Sequence, residues 1–215
     1  MNKRILVYAG AHLGGSLSQH LNNFDVIFAF EANPWFCEQL SNRFSQHSNL
    51  HVVNAALCNV HKQKVVFNIS RNNGDSSSLL MPNKENSMHD GIRPSAQVLV
   101  EGVNLGMFLA EKGIDRIDTY ISDLQGYDYE VLKTLKPLID RGAINSIECE
   151  VEKTDKPPIY VVEGIERNIE ENFNTILEKN YQKVATGWGR LTDGVFANVP
   201  DNWSEWDIKW KLKAS

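Results

Sequence analysis

Residues 4–34 constrain the fold more than any other part of the chain. They read RILVYAGAHLGGSLSQHLNNFDVIFAFEANP. An apolar run (Ile5, Leu6, Val7) enters a turn that holds Gly10, Gly14 and Gly15. A short helical segment follows, and a second apolar run over 26–30 ends on Glu31. Strand, glycine turn, helix, strand and terminal acid form the layout of a nucleotide-binding βαβ unit. Glycines let the backbone approach a ligand closely, because no Cβ stands in the way. A carboxylate about 20 residues past the turn accepts hydrogen bonds from ribose hydroxyls. The expectation is a pocket for an adenosine-containing cofactor. From Gly10 the spacing is G-x-x-x-G-G, looser than the turn a pyrophosphate needs. It suits S-adenosylmethionine and argues against a nicotinamide-dependent oxidoreductase.

Beyond this unit, strand-like and helix-like segments alternate. Asn33 is placed to cap a helix with Pro34 at its first position, and Phe36, Leu40 and Phe44 recur at helical spacing. Strands are expected over 50–57 and 64–69, as an extension at one sheet edge, and then over 98–103, 117–123 and 144–151. Leu105, Phe108 and Leu109 mark a short helix. The apolar positions from Tyr129 to Ile139 mark one helix with Pro137 near its end. Ile165, Ile169, Phe173, Ile176 and Leu177 mark a long one. Segments 181–185 and 194–199 suggest a final hairpin, followed by a tail with Trp203, Trp206 and Trp210; these and Trp188 are expected as core or interface anchors rather than sugar-stacking rings. The pattern gives a mostly parallel sheet with helices on both faces and an antiparallel strand at one side. Ligands in such sheets bind at the carboxyl ends of the strands, beside the first strand. Residues 8–13, Glu31 and Asp123 should converge there. A single domain over 1–215 is expected. Residues 71–97 are polar and long enough to suggest a lid or substrate loop, and 152–163, with Pro157-Pro158, a second excursion on the substrate side.

A net charge of −5, from 22 basic and 27 acidic residues, argues against an extended nucleic-acid or anionic-membrane surface. Apolar runs of about 18 residues, the length of a membrane span, are absent, and the start of the chain lacks a signal-peptide layout. The scattered Cys37, Cys58 and Cys149 fit reduced thiols in a cytoplasmic protein. An oligomer is compatible with the sequence, and its order is left open.

The motifs, taken together, resemble the FkbM-type class I methyltransferases. Members carry a strand ending D-x-G-A-N-x-G, an A-F-E-P-x-P segment, N-x-A-L, S-S-L, K-x-D-x-x-G-x-E and a strand ending Glu-Val. Their counterparts here begin at Tyr8 (YAGAHLG), Ala29 (AFEANP), Asn54 (NAAL), Ser77 (SSL), Ser122 (SDLQGYD) and Glu148 (ECEV). The resemblance implies a Rossmann-like class I fold with a mostly parallel seven-stranded sheet, an antiparallel C-terminal hairpin strand, and S-adenosylmethionine as cofactor. It implies that Gly10, Ala11, His12, Gly14, Glu31, Ala32 and Asn33 bind cofactor, that Ala55 or Ala56 flanks the adenine, and that Gln125 lies near the methyl group. Asp123 is the candidate base for an alcohol nucleophile. The implied acceptor is a small molecule or glycan, methylated on a hydroxyl. Ser77 and Ser78 would offer hydroxyls beside the cleft, and Glu148 and Glu150, on one strand face, a carboxylate for the acceptor. No metal site is required by the spacing. Four positions depart from the pattern: Tyr8 for Asp, His12 for Asn, Ser122 for Lys and Asp128 for Glu. Loss of the first-strand acid leaves a non-catalytic cofactor-binding module, or partner subunit, as the alternative.

Overall fold

The structure, a computed structural model, describes residues 3–187 and 203–214. The chain forms β1 (Ile5–Ala9), a 3-10 turn (Leu17–His20), β2 (Val26–Glu31), α1 (Pro34–Arg43), β3 (Leu50–Asn54), β4 (Ala56–Leu57) and β5 (Gln63–Ser70). It continues with α2 (His89–Ile92), β6 (Pro94–Val103), α3 (Leu105–Glu111), β7 (Ile117–Ser122), α4 (Asp128–Thr134) and α5 (Lys136–Asp140). Last come β8 (Ile144–Glu152), α6 (Glu170–Leu177), β9 (Tyr181–Gly187) and β10 (Glu205–Leu212).

The main sheet has the order β3-β2-β1-β7-β8-β10-β9. Its first five strands run parallel, and β10 runs antiparallel to both neighbours. Alternation along each strand sends side chains to opposite faces. Leu6, Tyr8, Ile27, Ala29 and Ile121 pack beneath the 3-10 turn and α1, against Leu17, Leu40 and Phe44. Val7, Ala9, Phe28, Phe30, Tyr120 and Ile147 pack on the other side beneath the helices from α3 to α6. Burial on both faces is why these strands are nearly continuously apolar. The strand order reverses between β1 and β7, so the carboxyl ends of those two strands flank an opening at the rim. No helix among the described residues is long and apolar enough to cross a membrane, and the three cysteines are buried and form no disulfide.

Several expectations need correction. Segment 50–54 does extend the main sheet, as its edge strand β3, but 56–57 and 64–69 do not. The chain leaves it at Ala55, and β4, β6 and β5 form a separate three-stranded sheet, held by Phe67 and Val100 against Ala32 and Ala56. The segment from Tyr129 to Ile139 is two helices, because Pro137 has no N–H and its ring would strike the carbonyl four residues back. Ile165 and Ile169 precede α6 rather than belonging to it. Among the described residues the strand that follows β9 is β10, which carries Trp206 and Trp210. Trp210 is buried with its ring stacked on Phe173 at 5.4 Å. Trp188 and segment 194–199 lie outside the described residues.

The excursions at 71–97 and 152–163 are knit together over the rim. Asn83 and Asn86 donate from their side-chain amides to the carbonyls of Pro158 and Pro157 at 2.9 and 2.7 Å. Val161 N donates to Met81 O at 2.8 Å. Ile92, Ile159 and Tyr160 bury one another, with Leu80 and Met88 alongside.

Candidate functional site

The first turn is built by close backbone approach. Gly10, at φ +77°, donates with Ala11 to the Phe30 carbonyl at 3.1 and 2.9 Å. A Cβ on Gly10 would overlap the carbonyl oxygen of Asp123. His12 follows with φ 48°, a conformation a non-glycine residue seldom adopts. Its ring packs edge-on to Phe36, with centroids 4.1 Å apart, and its Nε2 lies 3.3 Å from the Asp75 carboxylate. The glycine turn is therefore tied directly to the 71–97 excursion.

Glu31 ends β2 beneath this turn. One carboxylate oxygen accepts from His12 N at 2.7 Å and the other from Asn33 N at 2.8 Å. Only 6% of the residue is exposed. Burial raises its pKa to about 7, against the pull of the Asn33 and His12 amides and with a further push from the Asp123 carboxylate. Each oxygen retains a lone pair beyond the one it uses here.

Asp123 follows β7, its amide donating to Ala9 O at 3.1 Å. Gln125, also at positive φ (52°), donates from Nε2 to Asp123 Oδ1 at 2.6 Å and weakly to the Glu150 carboxylate at 3.3 and 3.4 Å. Tyr160, buried, donates to Gln125 Oε1 at 2.8 Å and so fixes which end of the amide faces the carboxylates. Asp128 holds the same loop from below, accepting from Leu124 N at 3.1 Å. Asn168 donates to Glu150 O at 2.7 Å and to Asp128 at 3.3 Å, and accepts from Tyr129 N at 2.8 Å. Burial pushes the Glu150 carboxyl well above the usual range, and Asp123, Glu205, Asp128 and Asp207 add to it.

A cleft with about 620 Å³ of empty space lies between these groups. Gly10, His12, Glu31 and Ala32 line it, together with Ala55, Ala56, Asp123 and Gln125 and with Ser77 from the excursion. A second, more open cavity shares Gly10, His12 and Asp123 and is walled by Ala11, Glu150, Glu205 and Asp207. The remaining sequence candidates line neither cavity. Gly14 is a glycine because a Cβ there would press on Leu40 and Phe44 at 2.5 Å. Asn33 caps α1, accepting from Trp35 N at 3.1 Å. Ser78 is buried and donates to the Gln125 carbonyl at 2.8 Å. Glu148 is buried 4.0 Å from Lys209. Sequence reasoning missed Asp75, Tyr160 and Asn168, whose roles come from partners far away in the chain. It also missed the flat apolar walls given by Phe30, Leu57 and Phe67. Among the described residues no group of His, Cys, Asp and Glu is arranged to hold a metal.

A family model described as the Methyltransferase FkbM domain matches residues 9–182. The chain belongs to the FkbM methyltransferase family. It is a methyltransferase, and its cofactor is S-adenosylmethionine. The fold is also found in an rRNA methylase from Streptococcus thermophilus, at 11% identity and TM-score 0.50, covering 99% of this chain and 88% of that one. A fibrillarin/Nop5p complex gives 14% identity and TM-score 0.51, covering 98% and 73%. An S-adenosylmethionine-dependent methyltransferase from Clostridium acetobutylicum gives 9% and 0.47, covering 98% and 85%. No curated protein sequence matches the chain.

The cleft of this FkbM methyltransferase fits an adenosyl group chemically. Glu31 offers spare acceptor positions to two hydroxyls, and Ala32, Ala55 and Ala56 leave a shallow apolar slot beside it. Tyr8 stands where the family carries the first-strand acid. It is 3% exposed and packs with the core on the α1 face, though it also edges the second cavity.

Proposed function

We propose that this methyltransferase acts on a hydroxyl of a saccharide or small metabolite. The observation that carries the reading is the pairing, across one cleft, of a ribose-type carboxylate, Glu31, with an oriented carboxylate at the opposite strand end, Asp123. S-adenosylmethionine supplies a methyl group already activated by its positive sulfur. In this reading Glu31 receives the ribose hydroxyls, and Ala32, Ala55 and Ala56 flank the adenine. Gly10, Ala11 and His12 face the amino-acid end, with Gly14 and Asn33 shaping the turn and the helix start behind them. Asp123 accepts the acceptor's hydroxyl proton as its oxygen is alkylated, and Gln125 holds that carboxylate in place. Alignment of the acceptor with the methyl group supplies much of the acceleration. Ser77 and Glu150 face the acceptor, while Ser78 and Glu148 act behind them. The excursions at 71–97 and 152–163 form the acceptor side.

Calorimetry with S-adenosylhomocysteine tests the cofactor half. Glu31→Ala should weaken binding by about 1–3 kcal/mol, and equal affinity in the variant removes Glu31 from the site. Methyl transfer to a panel of hydroxyl, amine and carboxyl acceptors tests the other half. Transfer to hydroxyls that is abolished in Asp123→Asn is the expected result, and binding without turnover on any acceptor identifies a non-catalytic module.

A further inference from the structure

The 71–97 excursion has two sides. One carries Gly74, Asp75 and Ser77 into the cofactor cleft. The other forms an open groove in which Arg71, Lys84 and Arg93 converge around an apolar floor that includes Met81 and Pro82. Among the described residues, only one of these three cations, Arg93, meets a carboxylate. Arg71 donates to the backbone carbonyl of Asp90 at 3.5 Å. Arg93 lies 3.7 Å from the Asp90 carboxylate, which is 87% exposed. Lys84 makes no hydrogen bond or ion pair among the described residues. A local excess of positive charge is notable in a chain whose net charge is −5. Arginine forks and a lysine ammonium around an open apolar floor suit the oxyanion of a small organic molecule.

The groove is close to the cleft. Arg71 and Gly74 are three residues apart, so their Cα atoms are separated by at most roughly 11 Å. The turn between them is tight, with Gly74 N donating to Ser70 O at 3.1 Å.

We propose that the groove binds the anionic group, phosphate or carboxylate, of the methyl acceptor, which makes the acceptor an anionic saccharide or metabolite rather than a neutral one. The inference rests on the acceptor reading above. Calorimetry at low ionic strength, with S-adenosylhomocysteine saturating, compares glucose 1-phosphate, glucuronate and glucose on the wild type and on Arg71→Glu/Lys84→Glu. Both substituted residues are exposed, and S-adenosylhomocysteine affinity in the variant, expected within about twofold of wild type, reports an intact fold. The expected result is that one anionic sugar binds at least about tenfold tighter than glucose and that the variant loses this margin. Preference for glucose 1-phosphate assigns a phosphate, and preference for glucuronate a carboxylate. Equal affinity for all three sugars, or an unchanged margin in the variant, overturns the inference while leaving the cofactor site standing. Tighter binding of a short single-stranded RNA, lost in the variant, overturns it in favour of a nucleic acid. Failure of the wild type to bind S-adenosylhomocysteine overturns the cofactor reading, and the inference falls with it.

Discussion

Glu31 is held by backbone amides that favour its charge and by burial that opposes it, and burial wins: its pKa sits near 7. Ribose hydroxyls donate to the ionised form, and a protonated carboxyl puts a hydrogen where a lone pair is needed. In the proposed role, ligand binding below pH 7 must first remove that proton. Affinity for S-adenosylhomocysteine should fall about tenfold between pH 8 and pH 6 in the wild type, and Glu31→Gln should flatten the profile. A wild-type profile already flat over that range would show that the carboxylate does not meet the ligand. Gly10 is fixed by a different force. Its φ of +77° and the Asp123 carbonyl at its back leave no room for a methyl group. Gly10→Ala should cost about 2–4 kcal/mol of stability in urea unfolding, and a cost near zero would mean that β1 and β7 part easily at the rim. Both residues were legible in the sequence, because a glycine turn after an apolar run and an acid at the next strand end are local signals. Tyr160 was not. Its importance lies in a hydrogen bond to Gln125 across 35 positions, and no local pattern marks it.

Among the elements, those closed by short-range chemistry were the legible ones. The Asn33 cap, Pro34 at the start of α1 and the buried stripe of Phe36, Leu40 and Phe44 all follow from neighbours within a few turns. The three-stranded sheet did not follow, because β4 is only two residues long and its partner, β6, lies more than forty positions away. The unit formed by the two excursions was equally hidden, since side-chain amides bonding to Pro157 and Pro158 carry no periodicity. Asn168 shows how such remote contacts hold an element in place. It fastens the start of α4 through Tyr129 N, the Asp128 carboxylate and the Glu150 carbonyl, and it is 1% exposed. Asn168→Ala leaves buried groups on β8 and α4 without partners, so a loss of about 2–3 kcal/mol is expected in urea unfolding. A loss below about 0.5 kcal/mol would show that water or a neighbour replaces the amide.

At the scale of the whole molecule, the rim concentrates carboxyl groups where the strands of the main sheet end. Glu31 is raised to about 7, chiefly by burial. Glu205, half-buried and hydrogen-bonded to Glu150, is raised to about 8 by burial and then by Asp123, Glu152 and Asp207. Glu150 is raised by burial and by its acidic neighbours. In the unfolded chain each returns to the ordinary glutamate value. The folded state therefore binds more protons than the unfolded state at neutral pH, and stability falls as pH rises. The contribution is complete below about pH 4.5 and is lost as pH passes through about 7 to 8. Urea unfolding of the ligand-free protein should show stability dropping by about 2–3 kcal/mol between pH 5 and pH 8 from Glu31 alone, with Glu205 and Glu150 adding to the fall. Glu150→Gln removes one titrating carboxyl whose pKa burial and acidic neighbours raise, so the slope should shrink while stability at pH 8 rises. This direction is opposite to that predicted for cofactor affinity, which should climb over the same range as Glu31 ionises. In the proposed cofactor role, the same carboxylate weakens the empty protein at the pH where it grips the ligand best, and the ligand-bound protein should lose less stability with rising pH than the empty one. Parallel stability profiles for the two states would sever the link between the buried charge and the cofactor cleft.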